Sequence, residues 1–189
     1  EFEGLPQSKG VLHGELAKPV DAQLGGLSFA MDLLEGHKTG GYLDQQLNHT
    51  LVAAHCAGKR VLDCFTFQGG FALHAAKAGA SEVLGLDQSD DAVAQARANA
   101  KANSVEAHFE SANVFDWLKK NSGKGDREFD VIVLDPPSFT RNRASVPDAL
   151  RGYKEIHLRA LRMLPPGGLL ATYCCSHHVD DDLFLDTIL

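Results

Sequence analysis

Val61-Leu62-Asp63-Cys64-Phe65-Thr66-Phe67-Gln68-Gly69-Gly70 is a short apolar run that closes on an acid, two aromatics and paired glycines. The run, from residue 60 to 64, reads as a strand, and residues 71–78 that follow read as a helix. Glycines at such a junction let backbone approach a ligand closely, and the helix N-terminus offers unpaired amides. Downstream the alternation recurs, with apolar strands at 82–87, 105–109, 129–135 and 168–174 and helices at 89–103, 114–121 and 147–164. Ser89 or Asp90 suits the cap of the second helix, and Pro147 sits where a first-turn proline belongs. This spacing predicts an α/β fold, a parallel sheet covered on both faces. Upstream, 43–57 reads as a helix and 36–42 as a loop. Leu27, Phe29, Met31 and Leu33 form one apolar face of a strand in a small antiparallel appendage.

The 189 residues are 44% apolar and 23% charged, which fits one domain with a short appendage and excludes a disordered chain. No apolar run approaches the roughly 20 residues of a membrane span. The opening Glu1-Phe2-Glu3-Gly4 does not read as a signal peptide, and the absence of Met at position 1 leads us to expect a piece of a longer protein. A helical pattern still running at Asp186-Thr187-Ile188-Leu189 adds to that expectation. Net charge is −7, against a surface that clings to nucleic acid throughout. Residues 138–162 reverse the sign locally, with Arg141, Arg143, Arg151, Lys154, Arg159 and Arg162 against Asp148 and Glu155. A solvated helix face is the plainer reading of that stretch. Cys56, Cys64, Cys174 and Cys175 show no Cys-x-x-Cys spacing, so no metal site is expected, and reduced thiols in a cytoplasmic protein are.

In an open parallel sheet ligands bind at the carboxyl ends of the strands, so the residues there carry the chemistry. Asp87 ends the second strand, 17 residues past Gly70, where a carboxylate suits a ribose diol. That distance also suits NAD, but the third glycine of a pyrophosphate loop is missing. Asp63 would repel a pyrophosphate and welcome a ligand ammonium, as in a nucleoside carrying a cation. Asn113 suits an adenine edge, or simply caps a helix. Val131-Ile132-Val133-Leu134 marks a strand buried on both faces, and Asp135-Pro136-Pro137-Ser138-Phe139 then presents one carboxylate on stiffened backbone. That arrangement fits a planar nitrogenous base, with Phe139 to stack on it; a proline-stiffened turn is the plainer reading. Past the fifth strand, Cys174-Cys175-Ser176-His177-His178 offers a nucleophile or an inert thiol. Strand alternation would turn only one of the two cysteines to the crevice. The adjacent histidines read as loop residues rather than metal ligands.

Taken together these motifs resemble those of class I S-adenosylmethionine-dependent methyltransferases, and more closely the large-subunit ribosomal RNA (cytosine-5-)-methyltransferase family. The resemblance rests on His37-Lys38-Thr39-Gly40 with Leu43-Asp44-Gln45, Asp63-Cys64-Phe65 with Gly69-Gly70-Phe71, Asp135-Pro136-Pro137-Ser138-Phe139, Arg151-Gly152-Tyr153-Lys154-Glu155, and Cys175-Ser176. It implies a Rossmann-like domain with a mostly parallel, doubly wound sheet over residues 37–189, truncated at its C-terminal end. Residues 1–36 would then be the tail of a small β-rich central domain, downstream of an RNA-binding PUA domain. It further implies that Lys38, Thr39 and Tyr42 line the cofactor entrance and that Asp63, Phe65 and Gly69 hold the methionine portion of S-adenosyl-L-methionine. Asp87 would take the ribose hydroxyls and Asn113, where the family usually has Asp, the adenine.

The resemblance makes Cys175 the nucleophile, with Cys174 where the family commonly has Ser. Its thiolate would attack carbon 6 of a cytosine in 23S rRNA, so that carbon 5 accepts the methyl. Asp135 would hold or protonate ring nitrogen 3, and Pro136 and Phe139 would meet the unstacked base. Arg141, Arg143, Arg151 and Lys154 would meet phosphates. Ser138 stands where wider RNA cytosine-5 enzymes carry a second cysteine, leaving product release without its usual thiol. Rival readings are methylation of a guanine nitrogen through the Asp-Pro-Pro motif without a thiol, a non-catalytic RNA-binding fragment, and an NAD dehydrogenase.

Overall fold

The computed structural model describes residues 10–16, 19–34, 40–123, 129–140 and 142–189. The elements run β1 (Val20–Leu24), β2 (Leu27–Met31), α1 (Gln46–Ala53), β3 (Arg60–Cys64), α2 (Gly70–Lys77), β4 (Glu82–Asp87), α3 (Asp90–Ala102) and β5 (His108–Ser111). They continue with α4 (Val114–Asn121), β6 (Val131–Leu134), α5 (Val146–Met163), β7 (Leu169–Thr172) and α6 (Asp181–Ile188). Five strands form one parallel sheet in the order β5-β4-β3-β6-β7. The chain winds outward from β3 to β5 and returns to β6 on the other side, so the order reverses between β3 and β6. A crevice at that reversal is where this sheet class places ligands.

The centre of the sheet is dry because β3 and β6 carry apolar residues on both faces. Val61 and Val131 point into one cluster with Val52 of α1, Phe71 of α2 and Ala96 of α3. Leu62 and Ile132 point into the other, with Leu118 of α4, Tyr153 and Ile156 of α5 and Phe184 of α6. The sequence reading of a doubly wound α/β sheet is therefore what the structure shows.

Several boundaries moved. The expected strand at 105–109 begins at His108, because the Val105 amide turns back to the Ala100 carbonyl at 3.1 Å and closes α3. The helix expected over 43–57 is a 3-10 turn at Leu43–Gln45 followed by α1, which ends at Ala53. β7 stops at Thr172, so both Cys174 and Cys175 lie past the ladder and strand alternation does not apply to them. Ser89 caps α3, accepting from the Ala92 amide, and Asn113 caps α4, accepting from that of Asp116.

The expected appendage strand is β2, antiparallel to β1, and Leu33 falls outside it. The hairpin is welded to the sheet domain. Leu27, Phe29 and Met31 enter the first core cluster, and asparagine side chains of α3 complete the edge of β2. Asn103 accepts from the Ser28 amide at 2.7 Å and donates to the Ser28 carbonyl at 2.7 Å. Asn99, only 1% exposed, accepts from the Ala30 amide at 3.2 Å and donates to the Gln68 carbonyl at 3.1 Å. One amide thus ties the hairpin to the loop after β3. Asn99→Ala leaves a half-buried N–H and a half-buried C=O unpaired, and we expect a loss of about 2 kcal/mol. Urea denaturation should show a lower midpoint with an unchanged slope.

Candidate active site

The loop between β3 and α2 is held from below by two carboxylates. Asp63, fully buried, accepts from the Thr66 hydroxyl at 2.6 Å and the Ala72 amide at 2.9 Å through Oδ2. Asp87 accepts from the Phe67 amide at 2.9 Å through one oxygen and from the Ser89 amide at 3.0 Å through the other. Held this way, Phe65 and Phe67 take the left-handed region at φ 64° and 49°, a strain of order 1 kcal/mol each. Gly69 caps α2 at φ 89°, and a Cβ there would lie 3.1 Å from Leu73 Cγ. The glycine is therefore a steric requirement of the turn.

Asp63 Oδ1 has no hydrogen-bond partner among the described residues. Burial pushes this carboxyl up to about 7; the Thr66 and Ala72 bonds pull it down, while Asp135 and Asp87 push it further up. Three acids thus influence one another, and no cation among the described residues is a cause of the Asp63 shift. An orphaned, buried carboxylate oxygen beside a glycine-capped helix fits a ligand with an ammonium and a sulfonium. It disfavours a pyrophosphate, which removes the physical basis of the NAD reading. S-adenosylmethionine fits these residues: Asp63 would hold its charged end and Asp87 its ribose.

The loop after β6 brings Asp135 to the crevice, where its Oδ2 accepts from Gln45 Nε2 at 3.2 Å. Gln45 is itself oriented, accepting from Asn48 Nδ2 at 2.7 Å. A cavity of about 60 Å³ opens beside this pair, lined by Tyr42, Gln45, His49, Phe67, Phe71 and Asp135 among others. Tyr42 meets Phe67 edge-on at 5.5 Å, and burial, then Cys175 and Asp135, raise its phenol. Tyr173 is pushed up to about 12 by burial, then by Asp135 and Asp63.

The loop after β7 carries the cysteines. Cys175 is exposed and its thiol donates to the Pro136 carbonyl at 3.5 Å; Cys174 is half-buried and its thiol donates to the Tyr153 hydroxyl at 3.4 Å. Cys56 and Cys64 are core thiols, raised to about 11 and well above the ordinary range by burial. Among the described residues, no three His, Cys, Asp or Glu side chains gather as a metal site.

Of the residues expected at the site, Tyr42 and Asp135 line this cavity, Asp63 and Asp87 hold the loop after β3 from below, and Cys175 meets the Pro136 carbonyl next to Asp135. Asn113 sits exposed at the β5 end, with its Oδ1 used as the α4 cap. Lys38, Thr39 and Arg141 lie outside the described residues. Phe139 departs from expectation: its ring packs on Tyr153 at 4.6 Å, Phe115 at 5.5 Å and Phe65 at 6.5 Å. A Cβ on Gly152 would lie 3.3 Å from that ring, so the missing side chain lets α5 approach it. With protein rings around it, Phe139 supports the crevice wall and is not a free platform for a base. Arg143, Arg151 and Lys154 are exposed, and Arg151 pairs with Asp148, whereas Arg159 is structural, donating to the Phe115 carbonyl at 2.8 Å. Gln45, Tyr173, Tyr153 and Ser176 were given no role from sequence. Only the contacts between distant segments reveal them.

Residues 6–188 match the family described as S-adenosylmethionine-dependent methyltransferase. The chain belongs to that family. Among curated relatives, the ribosomal RNA large subunit methyltransferase I of Aeromonas salmonicida (strain A449) is 44% identical over 186 residues, 96% of this chain and 47% of that protein. The protein of the same name from Shewanella denitrificans is likewise 44% identical over 186 residues, with the same coverage. The chain spans about half the length of these relatives. Among solved structures, SMU.776, a putative methyltransferase complexed with SAH, superposes with a TM-score of 0.82 at 27% identity, over 94% of this chain and 47% of that one. A SAM-dependent methyltransferase from Agrobacterium tumefaciens, 22% identical, shares the fold with a TM-score of 0.74 over 94% of this chain and 60% of its own.

The Asp63 carboxyl makes stability depend on pH. The folded carboxyl, at about 7, exceeds its unfolded value near 4, so the folded state holds a proton that the unfolded state has lost. Its stabilising share is complete below pH about 4 and is lost as pH rises through about 7. A cationic ligand favours the carboxylate, so its affinity should rise with pH across the same window. Calorimetry with S-adenosylmethionine should show this rise and proton release. Asp63→Asn should flatten the pH dependence and weaken binding about tenfold or more at pH 8.

Proposed function

We propose that this chain transfers the methyl group of S-adenosylmethionine to carbon 5 of a cytosine in large-subunit (23S) ribosomal RNA, through a covalent Cys175–cytosine adduct. The observation that carries the reading is the meeting of two distant loops, with the exposed Cys175 thiol on the Pro136 carbonyl next to Asp135. The names of the 44% identical relatives support the RNA substrate. Bound S-adenosylmethionine supplies an electrophilic methyl group.

The protein's own groups supply the rest. Carbon 5 of cytosine is a weak nucleophile. Addition of the Cys175 thiolate to carbon 6 pushes electron density to carbon 5, which then takes the methyl. Asp135 in its protonated form, oriented by Gln45, gives its proton to ring nitrogen 3 as negative charge develops there and takes it back when the sulfur leaves. A base takes the carbon 5 proton, and the sulfur leaves carbon 6 as the ring regains its double bond. The target base reaches the crevice only by leaving its stack. Arg143, Arg151 and Lys154 are exposed before and along α5, which supports a role in meeting phosphates, and Arg141 is assigned the same role from the sequence.

Residues 37–189 would be the catalytic domain and residues 1–36 the tail of a preceding β-rich domain, with the hairpin as its joint. No helix among the described residues is long and apolar enough to cross a membrane.

In the intact protein, Cys175→Ala should abolish turnover on ribosomal RNA while S-adenosylmethionine affinity stays within about twofold. RNA carrying 5-fluorocytosine should trap the unsubstituted protein as a stable adduct and leave Cys175→Ala untrapped. Methylation without any trapped adduct would support the guanine-nitrogen reading instead.

A further inference from the structure

The loop that presents Cys175 is fastened by a chain of hydroxyls whose direction can be worked out. Ser138 donates to the Thr140 carbonyl at 2.8 Å, and a carbonyl can only accept. Its single proton is thereby used, so the 3.2 Å contact between Ser138 and Ser176 requires Ser176 to donate. That uses the Ser176 proton, so the 2.8 Å contact between Tyr153 and Ser176 requires the phenol to donate. The Tyr153 oxygen is then left to accept, and its 3.4 Å neighbour is the Cys174 thiol, which must supply the proton. Ser176 also accepts from the Phe139 amide at 3.3 Å. Its hydroxyl thus gives one hydrogen bond and takes two, which is its full capacity, at 4% exposure.

This single buried oxygen joins three segments: the loop after β6 (Ser138, Phe139), the helix α5 (Tyr153) and the loop after β7 (Cys174, Ser176). We infer that Ser176 is the positioning residue for the Cys175 nucleophile, locking the loop that carries it against the loop that carries Asp135. The same chain separates the two adjacent cysteines by task. Cys174 is the first donor of the chain, to the Tyr153 hydroxyl, and Cys175 donates instead to the Pro136 carbonyl next to Asp135. His157 supports the arrangement from below, linking the Tyr153 carbonyl and the Thr172 hydroxyl, each at 2.7 Å from a ring nitrogen.

The inference rests on the thiol chemistry proposed above, so its test carries a readout that does not need RNA. Alkylation of Cys175 by iodoacetamide, followed by mass spectrometry of the intact protein, reports its placement directly. Ser176→Ala should change that rate about fivefold or more and lower kcat on ribosomal RNA about tenfold or more. KM for RNA and affinity for S-adenosylmethionine should stay within about threefold. Tyr153→Phe keeps the buried ring and removes only the chain's middle link, so it serves where Ser176→Ala folds poorly. The two losses in kcat should be non-additive when combined, because both variants break one chain. Cys174→Ser restores a donor and should match the unsubstituted protein, whereas Cys174→Ala should share part of the loss. Unchanged alkylation and kcat in both Ser176→Ala and Tyr153→Phe, or losses that simply add, would overturn the inference. If the unsubstituted protein forms no 5-fluorocytosine adduct while the alkylation effects hold, the covalent reading fails and the positioning role survives.

Discussion

The pairing of β3 with β6 is the constraint on which the crevice depends. Val61 to Cys64 lie in register with Val131 to Leu134, and all eight residues are buried. With side chains packed on both faces, a slip of one residue would exchange the two core clusters and strand Asp63 among the wrong neighbours. The register also decides the chemistry. Cys64 stands opposite Leu134, so the loop after β3 and the acid after β6 leave the sheet at the same level. The cavity beside them is lined by Phe67, Gln68, Gly70 and Phe71 from one side of that register and by Asp135 from the other.

Asp63, Asp87 and Asp135 lie close enough to act on one another, and burial with their repulsion raises the Asp63 carboxyl. Arg143, Arg151 and Lys154, before and along α5, are exposed to solvent. The loop strain at Phe65 and Phe67 belongs to the same design: backbone bends where amides must reach two carboxylates.

Strand–helix alternation was legible in the chain because buried parallel strands demand unbroken apolar runs, as at Val131 to Leu134, and because caps such as Ser89 and Asn113 announce helices locally. The acids at strand ends were legible for the same reason, since a carboxylate directly after such a run has one place to go. Element edges were less so. Val105 looked like strand, but its amide was already committed to closing α3. Phe139 looked like a stacking platform, because nothing local announces that Gly152, 13 residues on, lets a helix bring Tyr153 onto its ring. Leu27, Phe29 and Met31 read correctly as one face, yet their partners on α3 were invisible, since Asn99 and Asn103 resemble any solvent-facing helix positions.

By itself, then, the amino-acid order determined the sheet class, the positions of the acids and the family motifs, all of which follow from local periodicity and from residues fixed to strand ends. Which cysteine faces the crevice was a different matter. Strand alternation offered a reason to separate Cys174 from Cys175, but the chain has left β7 before either residue. Their opposite directions come from partners on other elements: Tyr153 of α5 for one thiol and the Pro136 carbonyl for the other. Hydrogen bonds between segments tens of residues apart leave no periodic trace, so only the packed chain decided that arrangement.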